Sequence, residues 1–156
     1  MNELKNLSVK FAETADSKNI FEWRNDPITR RMSHTSEIIR WKQHTSWFIN
    51  SLKSKNRVLL ICKQNSVDKI AVVRFDIFKI TAKVSINLNP KKRNKKLGKI
   101  CLIKSIDFFV KKYPLSKKIY AEVKSENISS KKIFLGAGFK KYKVGKEIEY
   151  YIKIYN

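Results

Sequence analysis

The chain is short of glycine, proline, cysteine, histidine and acid: its 156 residues include 4 Gly, 3 Pro, 2 Cys and 2 His, and 13 Asp plus Glu stand against 35 Lys plus Arg. So few glycines and prolines leave no room for a flexible linker, and no internal repeat or low-complexity block occurs. The length suits one domain, and residues 1–156 are expected to fold as a single unit. Apolar runs such as 58–62 and 100–103 end at Lys63 and Lys104, far short of the roughly 20 residues that cross a bilayer. The first twelve residues mix charges with scattered apolar side chains and do not read as a secretory signal, so a cytoplasmic location is expected. Cys62 and Cys101 have neither CxxC nor metal-ligand spacing, and His34 and His44 lie far from both in sequence. Reduced, buried core thiols are expected rather than a catalytic cysteine, and no metal is expected.

What the chain has in excess is positive charge, a formal +22. Such a field attracts polyanions: phosphorylated cofactors, nucleotides or nucleic acid. The lysines are spread from Lys5 to Lys153 amid abundant Ile and Asn, as in a general compositional bias, and neither an aromatic RNP segment nor a GXXG loop is present. Nucleic acid is therefore not the expected partner.

Hydrophobic periodicity gives the element order. Residues 7–12 alternate as a strand. Thr14 is expected to cap a helix carrying Ile20, Phe21 and Trp23 that stops near Asp26-Pro27. A polar loop over 29–37 leads to a helix over 40–52, with Trp41, His44, Phe48 and Leu52 on one face. Three strands at 57–64, 69–80 and 82–88 form an antiparallel meander ended by Pro90. A helix at 97–112, a strand at 118–124, a helix at 128–135 and strands at 139–144 and 147–155 complete a mixed α/β (α+β) chain that is neither doubly wound nor a sandwich.

The segment 86–99 runs from a strand end through a basic turn into a helix start. Unpaired first-turn N–H groups, the positive end of the helix dipole and flanking lysines together make an anion site suited to a diphosphate. Here the chain resembles the GNAT acetyltransferases, whose cofactor loop reads Arg/Gln-x-x-Gly-x-Gly/Ala: Arg93 and Gly98 match its first and last positions, and Lys96 replaces the middle glycine. A second segment, Asn127-x-x-Ser130-x-x-Ile133-Phe134-x-x-x-Gly138-Phe139, resembles the family's C-terminal signature, with Phe134 where a proton-donating tyrosine usually stands. A third, Trp23-Arg24-Asn25-Asp26-Pro27 followed by Thr35-Ser36-Glu37 and His44-x-x-Trp47-Phe48, is similar to enzymes acting on nucleotide-linked 4-amino sugars of pseudaminic or legionaminic acid type, in surface polysaccharide biosynthesis.

The resemblance implies a mostly antiparallel central sheet splayed between its fourth and fifth strands and flanked by four helices. It implies acetyl-CoA as cofactor, held by Ile86 and Leu88 on the fourth strand, by Arg93, Asn94, Lys95, Lys96, Leu97, Gly98 and Lys99 at the loop, and by Asn127, Ser130 and Phe134. The activity implied is N-acetylation of a primary amine by direct attack on the thioester, with a nucleotide-linked amino sugar as acceptor. Glu122, on the strand face opposite Ala121 and Val123, is the candidate base, ahead of Asp76 and His44; Tyr120 is the candidate acid. Arg24, Arg30, Arg31, His34 and His44 are candidates for the acceptor, although His44 on an apolar helical face also suits the core. Protein N-terminal or lysine acetylation, a non-catalytic basic module that binds RNA or CoA, and a homodimer stay open.

Overall fold

Two-residue alternation in the strands sorts the apolar side chains onto the two faces of one sheet. The computed structural model describes residues 6–156; the part of the leader reading that falls on residues 1–5 lies outside them. The strands are β1 (Leu7–Phe11), β2 (Arg57–Gln64), β3 (Asp68–Phe78), β4 (Thr81–Leu88), β5 (Lys118–Lys124), β6 (Lys140–Val144) and β7 (Ile148–Ile154), in the order β1-β2-β3-β4-β5-β7-β6. The helices are α1 (Ser17–Asn25), α2 (Pro27–Met32), α3 (Trp41–Lys53), α4 (Leu97–Lys112) and α5 (Ile128–Gly136).

On one face Leu60, Val73, Phe75, Val84, Ala121 and Val123 meet Leu102, Ile106 and Phe109 of α4 and Phe134 of α5. Those α4 residues recur at helical spacing, so the helix turns an apolar stripe to the sheet; Phe109 stacks on Phe75 with ring centroids 4.0 Å apart. On the other face Leu59, Ile61 and Val72 meet Ile20 and Trp23 of α1 and Phe48 of α3. The parity decides where polar side chains go. Arg74 shares the α1–α3 face with Val72, and Tyr120, Glu122 and Lys124 lie opposite the buried Ile119, Ala121 and Val123.

Among the described residues all strand pairs are antiparallel except β4 and β5, which run parallel and pair only from Thr81–Lys118 to Lys83–Tyr120. Beyond Lys83 they diverge. This is the splay expected from the sequence, between the fourth and fifth strands.

Two local expectations change. The stretch expected as a polar loop at 29–37 contains part of α2, so five α-helices rather than four are found among the described residues. Pro27 sits at the helix start, where its missing N–H costs nothing, and the Asp26 carboxylate accepts the Thr29 N–H at 3.0 Å. At the start of α1, Thr14 is not the cap. Residues Thr14–Asp16 form a 3-10 turn, closed by Asp16 accepting the Glu13 N–H at 2.8 Å, and the α-helix begins at Ser17.

Candidate active site

The divergence of β4 from β5 opens a cleft of about 710 Å³, lined by β4, the end of β5, α1, α2, the segment leading to α3, and the start of α5. The backbone of β4 forms one edge. Asn89 donates its N–H to Ile70 on β3 at 2.8 Å. With a period of two, Ser85 and Asn87 also turn their backbone groups to β3, and Ile86 and Leu88 turn theirs to the gap, where β5 has departed. These exposed groups can pair with an extended, amide-bearing ligand as a further strand would.

From Leu88 the chain passes through a 3-10 turn at Pro90–Lys92 and enters α4 by way of two left-handed residues, Asn94 (φ 59) and Lys96 (φ 58), with Lys96 as the cap. A left-handed lysine costs about 1–2 kcal/mol, so the loop keeps the shape a glycine would take and bears that cost. The open first turn of α4 follows. Gly98 lies in that turn, where an added Cβ would sit 2.7 Å from Ile133 Cδ1 and 3.2 Å from Leu88 Cδ1. Its bareness lets α4, α5 and the end of β4 converge. Asn127 caps α5 by accepting the Ser130 N–H at 3.1 Å.

The opposite wall is made of side chains. Glu122 projects from β5 towards His34, with Oε2 3.3 Å from His34 Nε2 and 3.8 Å from Lys83 Nζ. Lys124 donates to the Arg31 carbonyl at 2.9 Å and Arg31 approaches Glu126 at 3.8 Å. The end of α2 is thereby tied across the cleft to β5 and the turn after it. Asn25 fixes the following segment by exchanging two hydrogen bonds of 2.8 Å with the Ile39 backbone.

The model of the acetyltransferase (GNAT) domain matches residues 7–140 of this chain. The chain belongs to the GNAT acetyltransferase family. GNAT acetyltransferases use acetyl-CoA as their donor. The fold is similar to that of a Vibrio cholerae spermidine N-acetyltransferase solved with CoA and spermine (TM-score 0.84, 13% identity, 96% of each chain covered). It is also similar to that of a Methanocaldococcus jannaschii domain (TM-score 0.78, 22% identity, covering 95% of this chain and 97% of that one). Among curated sequences, an uncharacterized M. jannaschii protein is 24% identical over 148 residues, which are 89% of this chain and 29% of that protein. The chain thus spans less than a third of that relative's length.

Within this GNAT cleft the structure gathers Ile86, Leu88, Arg93, Asn94, Asn127, Ser130, Phe134, Arg24 and Glu122. These surroundings fit acetyl-CoA: an unpaired strand edge for its amide-bearing arm and an open helix N-terminus among lysines for its diphosphate. Arg93 is the exception, since its guanidinium is hydrogen-bonded to Asp26 Oδ2 and, at 2.8 Å, to Thr29 Oγ1. It ties the cofactor loop to the α1–α2 junction. Burial pushes the Asp26 carboxyl up, but the hydrogen bonds from Arg93 and Thr29 outweigh it and hold it below the ordinary range.

Several expected site residues lie elsewhere. His44 is buried among Phe21, Trp41, Trp47 and Phe48, with Nε2 at 2.8 Å from the Ser17 carbonyl. Burial, chiefly, pushes its pKa down; it is a core residue and does not line the cleft. Arg30 clamps the Asn25 and Ser36 carbonyls at 3.2 and 3.0 Å. Arg31 is 72% exposed and outside the lining. Tyr120 shares the face of Glu122 but is also outside the lining; burial and then the Glu122 charge push its phenol up. Lys95, Lys96 and Lys99 stand outside the lining too, while Leu97 and Gly98 are buried in the first turn of α4. Asp76 is committed to Arg57 and Arg74. Missed from the sequence are Thr29, Glu37, Arg74, Ser85, Asn87 and Glu126. For Arg74, strand parity with Val72 was the available signal.

Proposed function

We propose that the protein transfers an acetyl group from acetyl-CoA to the primary amine of a small molecule. The observation that carries this reading is the unpaired β4 edge at Ile86 and Leu88, facing a cleft whose far wall bears Glu122. Bound acetyl-CoA supplies an activated acyl group. The β4 N–H groups hold and orient the donor, and one of them can donate to the carbonyl oxygen where negative charge develops. The first turn of α4 receives the diphosphate.

Glu122 accepts the proton of the incoming ammonium, directly or through water, and His34 beside it offers a path to solvent. Lys83 Nζ stands 3.8 Å from the same carboxylate. Phe134 has no proton to give and the candidate acid Tyr120 is not among the cleft-lining residues, so the CoA sulfur leaves as the thiolate and takes its proton from water.

The nucleotide-linked amino sugar expected as acceptor loses most of the residues on which it rested. Trp23 is a core residue, Asn25 fixes the backbone at Ile39, Asp26 caps α2 and Pro27 begins it. Apart from Arg24, this motif is a structural junction. A cationic acceptor is a second reading: Glu37, Glu122 and Glu126 all line the cleft of a chain with only 13 acids. Its parallel is the spermidine N-acetyltransferase whose fold the chain shares.

A cytoplasmic setting fits the two free, buried thiols Cys62 and Cys101; among the described residues no helix is long and apolar enough to cross a membrane. One domain spanning residues 1–156 and a homodimer are parts of the same proposal, checked by limited proteolysis and by sedimentation. The test of function is release of CoA thiol from acetyl-CoA in the presence of a panel of amines. Acceptor-dependent release that Glu122→Gln abolishes supports the reading, and a folded protein that neither binds acetyl-CoA nor releases thiol refutes it.

A further inference from the structure

Arg24, on α1, lines the cleft yet has neither a hydrogen bond nor an ion pair among the described residues; its close neighbour is the Trp47 ring, 5.2 Å from the guanidinium carbon. Arg74 reaches the same wall from β3. Its Nε lies 3.2 Å from Asp76 Oδ2 but is buried without a well-formed hydrogen bond, and Arg57 takes the other oxygen of that carboxylate. Arg57 and Arg74 thus share the Asp76 carboxylate, and Arg24 beside them adds a third positive charge with no carboxylate of its own. Burial, and then Arg74 and Arg57, push the Arg24 pKa down. Holding a cation this way works against the fold unless something outside the chain repays it.

The arrangement is polar in a definite direction. Arg24 and Arg74 line the cleft together with the apolar Ile20, Leu59 and Val72, and Glu122 of β5, with His34 beside it, lines the same cleft. The donor's diphosphate has its own place at the start of α4, and Arg93, from that loop, is already spent on Asp26 and Thr29. The arginines therefore await a different anion.

We propose that Arg24 and Arg74 form an oxyanion subsite for a carboxylate or phosphate carried by the acceptor itself, so that the acceptor is a zwitterion whose amine meets Glu122. This rests on the transferase reading above. A planar guanidinium offers paired N–H donors that match two oxygens of such a group, a fit a lysine would not reproduce. A polyamine lying in the same cleft would instead bring a second ammonium against the arginines.

The experiment uses the whole chain saturated with CoA, so that the donor's anion sites are filled. Inorganic phosphate and acetate are titrated by calorimetry into the wild type, Arg24→Gln and Arg24→Lys. Matched acceptors are then compared by thiol release: ornithine with putrescine for a carboxylate, glucosamine 6-phosphate with glucosamine for a phosphate. The wild type is expected to bind at least one anion and to favour the matching acceptor by about ten- to a hundredfold in kcat/KM, the worth of a charged hydrogen-bond pair. Arg24→Gln brings that ratio close to one, mainly through KM, and Arg24→Lys recovers part of it. Which pair shows the preference tells carboxylate from phosphate. Preference for putrescine or spermidine, or equal anion affinity in wild type and Arg24→Gln, overturns the subsite. Circular dichroism and CoA affinity confirm that the variants are folded. If the wild type fails to bind acetyl-CoA, the transferase reading falls, and the phosphate and acetate titrations still decide the subsite on the CoA-free protein.

Discussion

On the wall proposed for the donor the cleft is built from backbone: the free groups of Ile86 and Leu88, the left-handed turns at Asn94 and Lys96, and the open first turn of α4. On the wall proposed for the acceptor it is built from side chains: Glu122, His34, Arg24, Arg74 and Glu37. Backbone groups survive any substitution that keeps the chain path, so the donor wall tolerates Lys96 where a glycine would be easier. Side chains have no such insurance. Single replacements should therefore be severe on the acceptor wall and mild on the donor wall, unless they move the backbone.

The largest expected effect is on Glu122. Replacing it with Gln should lower kcat/KM by about 10²–10⁴, the usual worth of a placed base, with acetyl-CoA affinity unchanged by calorimetry. Equal loss of donor affinity would show that the two walls are not separable.

Gly98→Val is the exception that sharpens the contrast on the donor side. Its branches would enter space held by Ile133 and Leu88, costing about 1–3 kcal/mol by overpacking, and should weaken acetyl-CoA binding by displacing backbone rather than by removing a contact. Chemical denaturation and calorimetry on one variant check both.

Arg93 joins the walls. Arg93→Ala should cost about 1.5–3 kcal/mol, since its charged hydrogen bonds to Asp26 and Thr29 are largely sheltered. The pH dependence follows from the Asp26 carboxyl, which is held below its ordinary 3.8. A depressed carboxyl stabilises the fold above its unfolded-state pKa and loses that contribution as pH falls through the lowered folded value. The melting-temperature gap between wild type and Asp26→Asn should thus be constant near neutrality and close below about pH 4.

The smallest effect has the opposite sign: Lys96→Gly relieves a left-handed lysine and should change stability by no more than about 1 kcal/mol, because glycine also loses more entropy on folding. Acetyl-CoA affinity should be preserved or improved.

Periodicity carried most of the fold. The α4 stripe, the alternation in β5 and the meander of β2 to β4 were legible because each places apolar residues at a fixed period, and the splay followed from the family resemblance. The short α2 was hidden because six residues give too few turns for a period and its polar side chains read as a loop. The wall proposed for the donor could be located from the sequence because a strand end, a basic turn and Gly98 adjoin there, and the structure places them at one edge of the cleft. Acetyl-CoA, as the family's donor, agrees with that expectation. The acceptor wall was legible only in part. Glu122 could be placed by strand parity, but its neighbour His34 comes from a segment 88 residues away, and no local pattern joins them. His44 shows the converse, an imidazole whose spacing fits a site and a core equally until its neighbours are known.

The seam between β4 and β5 has a mechanical consequence. Among the described residues three residue pairs, Thr81 with Lys118 to Lys83 with Tyr120, are all the strand pairing between the β1-β2-β3-β4 part of the sheet and the β5-β7-β6 unit. Compared with the long registers on either side, this is a short hinge line crossed by the Ile119 and Ala82 side chains of the shared core. Amide hydrogens of β5 to β7 should exchange as one cooperative block, opening at lower free energy than β2 and β3, and a ligand wedged into the splay should slow both blocks together.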